Sequence, residues 1–563
     1  MAMGQAAPFR QFRVLFRHFL SRLSYNDLLK FEDQQRESRI VLLVILAISG
    51  MLVANVAYEP FLLFILFDTP PSDLWRYEAM LLTFTMAIAG VIAVANWDKL
   101  FLDRLDQASL RPLPVSSAVL FSAKFLGLLA FIVAVTVVGN FFPVLMATAY
   151  LAEMLDSLSG GLAHGVAAML GNLFIFMVVA LLQSLFTAFL SPALARRAGV
   201  LAQMMLLLVF LSPFVWFPML FRSLPALKAG GSAFLRYYPP MWFTGIFDRI
   251  IGGADPLLGR AARTGLAAVV LVLVACLLVS RLCLNKFMRT AGAVPAGNRG
   301  ILRFRAGSRI LAALFLRHPV QLAVFTFFMQ TLRRSREHKL RLTLFLALPV
   351  SFLLSQFAYL YLKKGLTGGA LDSLLISLPL ALHFFLLVGM RLTAAYPHSL
   401  PANFIFRASE SMPLRHYVSG FKKALFCSAV LPPLLISFPL QIHFWGPLPA
   451  VLHALYSLAA AMLLLEVCFF NYRKLPFAFE HVPGKFQLRY YWPVLLIGFI
   501  QYQLVLAGLG KRLRDDPAGY PVYFLLAALF YALLRVNQRR RMAGERLVFE
   551  EEPEPAMLTL GLD

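Results

Sequence analysis

Apolar blocks of about 20 residues, separated by short polar connections, recur along the chain, and that is the length an α-helix needs to cross a bilayer core. A bilayer offers the backbone no hydrogen-bond partners, so such blocks fold as helices. The alternation over about ten residues that marks membrane barrel strands is missing. Length and hydropathy predict about twelve spans, near residues 40–58, 78–96, 118–148, 164–190, 199–221, 264–283, 341–361, 373–394, 424–440, 448–470, 490–509 and 520–536. Only 14% of the residues are charged, against about 25% in soluble proteins. The expected fold is an all-α, polytopic transmembrane helical bundle.

The net charge of +24 raises the question of nucleic acid, and its placement answers it. With the N-terminus in the cytoplasm and the connections sorted alternately, most of the 52 Lys and Arg fall on the cytoplasmic side. That positive-inside asymmetry sets orientation, with both termini cytoplasmic, and makes nucleic acid a poor fit. Cys276, Cys283, Cys427 and Cys468 lie in or at the ends of apolar runs, which suits buried side chains better than disulfides or metal ligands. Arginines interrupt the N-terminal "MAMGQAAPFRQFRVLFRHFLSRL" too often for a cleavable signal. Instead Phe9, Phe12, Phe16, Phe19 and Leu23 recur at helical steps with Arg10, Arg13, Arg17 and Arg22 between them. This predicts a helix lying in the membrane interface over 8–30.

At a single offset Pro114 meets Pro413, Lys124 meets Lys423, and "LFRHF" (15–19) falls beside "LFLRHP" (314–319). After the third span the offset shortens, and "SPALARRAG" (191–199) faces "LPFAFEHVPG" (475–484). The order of elements repeats too, which predicts two parallel six-span halves, an arrangement common in transporters. The first half is 1–283 and the second 308–536, with an interfacial helix of its own around 308–330. Residues 284–307 form a cytoplasmic linker and 537–563 a cytoplasmic tail.

Each half carries a stiff, half-polar segment before its third span: "SLRPLPVSSAVLFSAKFLG" (109–127) and "ASESMPLRHYVSGFKKALF" (408–426). Pro112 and Pro114 interrupt any continuous helix, and Ser116 is placed to cap a new one. Ahead of them, Trp97–Leu110 reads as a short surface helix, with Asp98, Lys99, Asp103, Arg104 and Asp106 among Leu100, Phe101 and Leu105, the apolar side turned to the bilayer or a partner. Such an element either receives force from a soluble subunit or merely reverses the chain. "DRLDQASLRPLPVSSAVLFSAKFLG" resembles the cytoplasmic segment of ABC-2 type transporter permeases, with a Leu-Pro-hydroxyl turn followed by a Lys opening the third span. "LRYYPPMWFTGIFDRIIGG" (235–253) resembles the stretch before their last span, where two short re-entrant helices lie.

The resemblance implies the permease of an ATP-driven exporter in a bacterial cytoplasmic membrane, carrying an amphipathic or lipid-like substrate. It implies ATPase-coupling segments at 97–118 and 403–418. The residues concerned are Asp98, Asp103, Arg104, Arg111, Pro114, Ser116 and Lys124 in the first half, and Glu410, Pro413, Arg415, His416 and Lys423 in the second. The chain departs from the family pattern in being a fused double unit. Its second half has only the short outer loop "GKRLRDDPAGYP", so a re-entrant pair is not expected there.

No Walker loop occurs: "LAGLGKRLR" and "HVPGKFQ" lack the paired glycines and the Ser/Thr that would hold magnesium. ATP would therefore be used by a separate ABC ATPase subunit, and no cofactor is expected on this chain. Catalytic readings are poor. Glu480 and His481 sit in an ordinary charged loop, and His164, His383 and His453 stand isolated on apolar helices, as core histidines bonded to neighbours do. Glu466, in "MLLLEVCFFNYRK", is either a pathway residue or a partner of Arg473 or Lys474. Asn140 and Gln183, like Asn55, Asn96, Asn172 and Gln203, suit interhelical hydrogen bonding or a pathway. No acid-and-His relay of the proton-coupled kind is visible. Two alternatives stay open. A major-facilitator-like secondary transporter would share Asp103-Arg104 but not the flanking glycines and basic pair of its usual loop. A non-transporting membrane scaffold is the other.

Overall fold

A computed structural model describes residues 3–24, 43–44, 46–54, 74–100, 106, 115–155, 159–289, 318–362, 368–396, 412–470, 472–477, 488–543, 545 and 547. Every regular element among them is helical. Eleven helices are long and apolar enough to cross a membrane, and they answer the predicted spans from 78–96 onward one for one. The chain is a multi-pass helical membrane protein. The remaining predicted span, 40–58, lies partly outside the described residues, and 43–44 and 46–54 within it are helical. The chain divides into two compact units, Met1–Pro295 and Ala296–Asp563.

The first unit opens with α1 (Met3–Ser24), α2 (Leu74–Ala95) and the short α3 (Trp97–Leu100). Trp97 and Leu100 of α3 are buried, so Leu100 packs inward instead of facing the bilayer or a partner. Ser116 starts α4 (Ser117–Gly139) by accepting the amide N–H of Val119 at 3.3 Å, the capping bond that serine supplies to an orphan donor. The single span predicted over 118–148 breaks at Asn140 into α4 and α5 (Phe141–Leu155). Then follow α6 (Ser159–Phe189), α7 (Pro192–Leu211), α8 (Pro213–Ala229), α9 (Ala233–Tyr237), α10 (Pro239–Ile250) and α11 (Pro256–Arg289). The last continues beyond residue 283, where the first half was expected to end. Residues 290–317, with most of the predicted linker, lie outside the described residues.

The segment expected to hold two short helices does so, as α9 and α10, and they sit deep. The Tyr238 hydroxyl between them lies 2.7 Å from Thr83 Oγ1, more than two turns along α2. Phe243 of α10 touches Gly171, about 18 Å from the start of α6 at the helical rise. The pair therefore dips between the long helices and returns. Its return needs Gly245, since a Cβ there would stand 2.2 Å from the Leu258 carbonyl oxygen of α11. Small residues of this kind let helices approach where the bilayer supplies no hydrophobic drive.

The second unit runs α12 (Pro319–Arg334), α13 (Arg336–Leu362), α14 (Gly369–Thr393), α15 (Leu414–Leu425), α16 (Leu431–Trp445), α17 (Pro447–Cys468), α18 (Leu488–Asp515) and α19 (Tyr520–Met542). Between α15 and α16 the helix widens into a π turn, Phe426–Val430. Pro432 and Pro433 follow directly, and their missing N–H groups and rings oppose a regular α turn there. Gly446, at φ +82°, makes the tight link from α16 to α17 in a conformation that favours glycine. A single 3₁₀ turn, Pro517–Gly519, joins α18 to α19, matching the short loop seen in the sequence.

Candidate functional site

In the first unit, the amphipathic α1 lies on α4. Its apolar stripe buries Leu15 and Phe19 against Leu120 and Ala123 of α4 and Cys283 of α11. Phe12 and Phe16 pack around this cluster. Lys124 of α4 is 3% exposed. Its ammonium lies 4.4 Å from the centre of the Phe19 ring and 3.6 Å from Asp106 Oδ2. Arg22 of α1 pairs with the other oxygen of the same carboxylate. One buried acid thus clasps two helices. Lys124, expected in a coupling segment, is turned inward, because an apolar helix face and Asp106 together offer it a ring and a counter-charge. Asp98 is exposed on α3. Asp103, Arg104, Arg111 and Pro114 lie outside the described residues.

The second unit docks α12 on α15 in a related way. Val324, Phe325 and Phe328 meet Leu414, Val418 and Phe421 in one buried cluster. Gly420 lets the backbones approach, since a Cβ there would stand 2.7 Å from the Gln321 carbonyl oxygen. Lys423 donates to Gln321 Oε1 at 2.7 Å. His318 caps α12 by accepting the Val320 N–H at Nδ1, 3.3 Å away, and stacks on His416 with ring centres 4.1 Å apart. Pro413 immediately precedes α15, Arg415 is exposed, and Glu410 lies outside the described residues. Lys124 and Lys423, which fall together in the sequence comparison, each reach from a long helix to the preceding amphipathic helix of their own unit.

Among the described residues, two carboxylates are buried among the long helices. Glu466 of α17, 2% exposed, pairs with Lys422 of α15 and with Arg535 Nε of α19 at 3.1 Å. Lys422 also donates to Gln538 Oε1, and Gln538 Nε2 donates to the Phe469 carbonyl oxygen at 2.8 Å. The expected partners of Glu466 were Arg473 and Lys474. Arg473 instead pairs with Glu545 at 3.0 Å, because the chain turns away after Cys468 while α15 and α19 bring their cations inward.

The second carboxylate was not anticipated. Glu78 of α2 (2% exposed) meets His164 of α6 (0% exposed), with its two oxygens 2.9 and 3.1 Å from Nδ1. His164 Nε2 lies 3.3 Å from Asn140 Oδ1, which also accepts from Thr85 at 2.7 Å. Asn140 Nδ2 donates to the Thr136 carbonyl oxygen at 2.9 Å, and Thr136 Oγ1 accepts from Asn172 at 3.2 Å. An acid–His pair does exist here. Hydropathy began the two spans at 78 and 164, whereas the helices begin at Leu74 and Ser159, which carries both residues inside. The other two histidines are bonded as expected: His383 to the Val430 carbonyl oxygen at 3.0 Å, and His453 to Gln441 at 3.0 Å. Gln183 Oε1 has no hydrogen-bond partner among the described residues.

Near the connection from α8 to α11, a cleft of about 460 Å³ is lined by Trp75, Lys228, Asp255 and Arg260. Lys228 lies 4.4 Å from the Trp75 ring centre and pairs with Asp255. Burial alone would raise the Asp255 carboxyl. Lys228 and the N–H groups of Leu257 and Leu258 outweigh it and hold the group below its ordinary range. No group of three or more His, Cys, Asp or Glu residues suited to a metal occurs among the described residues. Comparison with protein-family models, with curated proteins and with solved structures finds no match for this chain, so the functional reading rests on its own residues and helices.

Proposed function

We propose that this chain is the membrane-spanning permease of an ATP-driven transporter of the ABC-2 type, powered by a separate ATPase subunit. The observation that carries the reading is the pair of docked helices. In each unit an amphipathic helix is held on the start of a long helix by a lysine at the matched position, Lys124 over Phe19 and Lys423 to Gln321. A push on either surface helix then moves the long helix it is fastened to. Exposed Asp98 and Arg415 stand beside these clasps and offer charge to a soluble partner. The proposed arrangement has two parallel repeats and both termini in the cytoplasm of a bacterial cell. The proposed cargo is amphipathic or lipid-like and is exported along charge-poor spans.

Charge reversal tests it. The chain is purified from its native membrane in mild detergent, with and without Arg104→Glu and Arg111→Glu, and the bound proteins are identified by mass. The expected result is a stoichiometric Walker-motif ATPase that the reversals weaken without reducing membrane insertion. Unchanged association with failed insertion would reduce the segment to a topology signal. A second reading, a secondary transporter, is favoured by the Glu78–His164 pair, since buried acid–His pairs serve proton relays in such proteins.

A further inference from the structure

We propose that the cleft between α2, α8 and the start of α11 binds the phosphate headgroup of one anionic lipid, whose chains lie along the exposed face of α11. Its volume of about 460 Å³ falls within the ordinary range of small-molecule sites, about 300–1,000 Å³. Trp75, Lys228, Asp255 and Arg260 supply its aromatic and charged lining, and these charges do not cancel. Lys228 lies 2.5 Å from Asp255 Oδ2 and 4.4 Å from the centre of the Trp75 ring. Asp255 also accepts the N–H groups of Leu257 at 2.8 Å and Leu258 at 3.3 Å, so the first turn of α11 is taken by the chain's own acid. At the neighbouring turn Asp248 and Arg249 offset each other, the acid against Gly253 and the guanidinium against Gly259. Arg260 remains. It is exposed, and no carboxylate among the described residues pairs with it. Its planar fork of N–H donors matches two oxygens of a phosphate, while Lys228 has three donors and spends one on Asp255.

The same helix continues the site as an apolar face. Arg260, Arg263, Ala267, Leu271, Val274 and Leu278 recur along α11 at steps of three and four and are all exposed, which puts them on one side of the helix. Two cations therefore head a stripe in which Leu271 is 70% and Leu278 62% exposed. Arg260 and Leu271 stand about 17 Å apart along the axis, roughly half of a hydrocarbon core of about 30 Å. The stripe below the cations thus covers the depth of one leaflet. Trp75, at the start of α2, suits the headgroup level, where tryptophan is enriched in membrane proteins. A free inorganic anion would use the cations and leave the stripe idle. A lipid without phosphate would cover the stripe and give Arg260 no counter-charge. An anionic phospholipid answers both, and it is bound here whether or not the chain moves it.

Native mass spectrometry of the full chain, stripped of lipid in detergent, tests this without an ATPase or a transport assay, so its failure leaves the proposed function standing. The chain is titrated with phosphatidylglycerol, with a neutral glycolipid of the same acyl chains, and with inorganic phosphate. One phosphatidylglycerol is expected to bind about tenfold more tightly than the glycolipid, since its bonds to the cations are charge-assisted. Arg260→Gln, at an exposed position, is expected to weaken that binding about tenfold. Arg196→Gln is expected to leave it unchanged, because this exposed cation of α7 precedes Gly199, which packs on Trp97 at the far end of α2. Equal wild-type affinity for phosphatidylglycerol and the glycolipid overturns the proposal, and that result needs no variant to fold. Unchanged affinity in Arg260→Gln, or an equal loss in Arg196→Gln, overturns it as well. Displacement of the lipid by an equal concentration of inorganic phosphate would assign the cleft to a free anion and overturn the lipid as its occupant.

Discussion

Glu78 and Glu466 are both buried carboxylates 2% exposed, yet their surroundings differ in kind. Glu466 lies between Lys422 and Arg535, cations on two different helices, with Gln538 fastening Lys422 to α19. Glu78 has His164. A carboxylate between two cations ties α15, α17 and α19 together. A carboxylate paired with an imidazole ties α2 to α6. The same residue type thus joins three helices in one unit and two in the other, and the partners decide which.

Breaking the fastening should have the largest effect. Glu466→Ala would leave the buried Lys422 ammonium without its counter-charge and beside the partly exposed Arg535, and about 3 kcal/mol of stability should be lost. A lowered thermal unfolding midpoint in detergent would show it, and an unchanged midpoint would mean that water already serves these cations. The glycine contact comes next. Gly245→Ala places a methyl group on the Leu258 carbonyl, forces α10 from α11, and should cost about 1–3 kcal/mol.

The two surface helices sharpen the comparison further. Asp106→Ala removes the one acid shared by Arg22 and Lys124, so α1 should be cut by protease faster than in wild type. Lys423→Ala loses a hydrogen bond to a neutral amide and should loosen α12 less, by about 1 kcal/mol. Equal protease sensitivity of the two variants would erase the distinction.

The smallest effect concerns Asp255. Its carboxyl is held below the ordinary range in the folded chain, so its pairing with Lys228 stabilises the fold above the unfolded value of about 3.9. That contribution is lost as pH falls through the lower folded value. Asp255→Asn should cost under about 1 kcal/mol near neutrality, since the pair is partly exposed, and less at pH 2. Thermal midpoints at the two pH values check it.

The spans were legible because their length and apolarity are dictated by the bilayer, and eleven appear where hydropathy put them. The first amphipathic helix was legible from the three- and four-residue steps of its apolar side chains; helices stand at Met3–Ser24 and Pro319–Arg334, while 25–30 and 308–317 of the expected ranges lie outside the described residues. The cap at Ser116 and the short turn after Asp515 were legible from local chemistry. What stayed hidden depends on contacts between distant segments. Glu78 and His164 are 86 residues apart, and Lys422 and Glu466 are 44 apart, so neither pair has a spacing that announces it. A hydropathy window also ends a span at its first charged residue, whereas a helix continues past it, and this placed Glu78 at the rim instead of inside. Lys124 read as a surface contact for the same reason: one strand of sequence shows its charge but not the ring of Phe19 or the carboxylate of Asp106 that receive it.

The claim that these docked helices take up force from an ATPase is tested most directly by zero-length cross-linking in native membranes, followed by mass identification of the joined peptides. The account predicts Asp98 joined to a lysine of a Walker-motif ATPase. A chain that cross-links to no ATPase, at Asp98 or anywhere else, would contradict it.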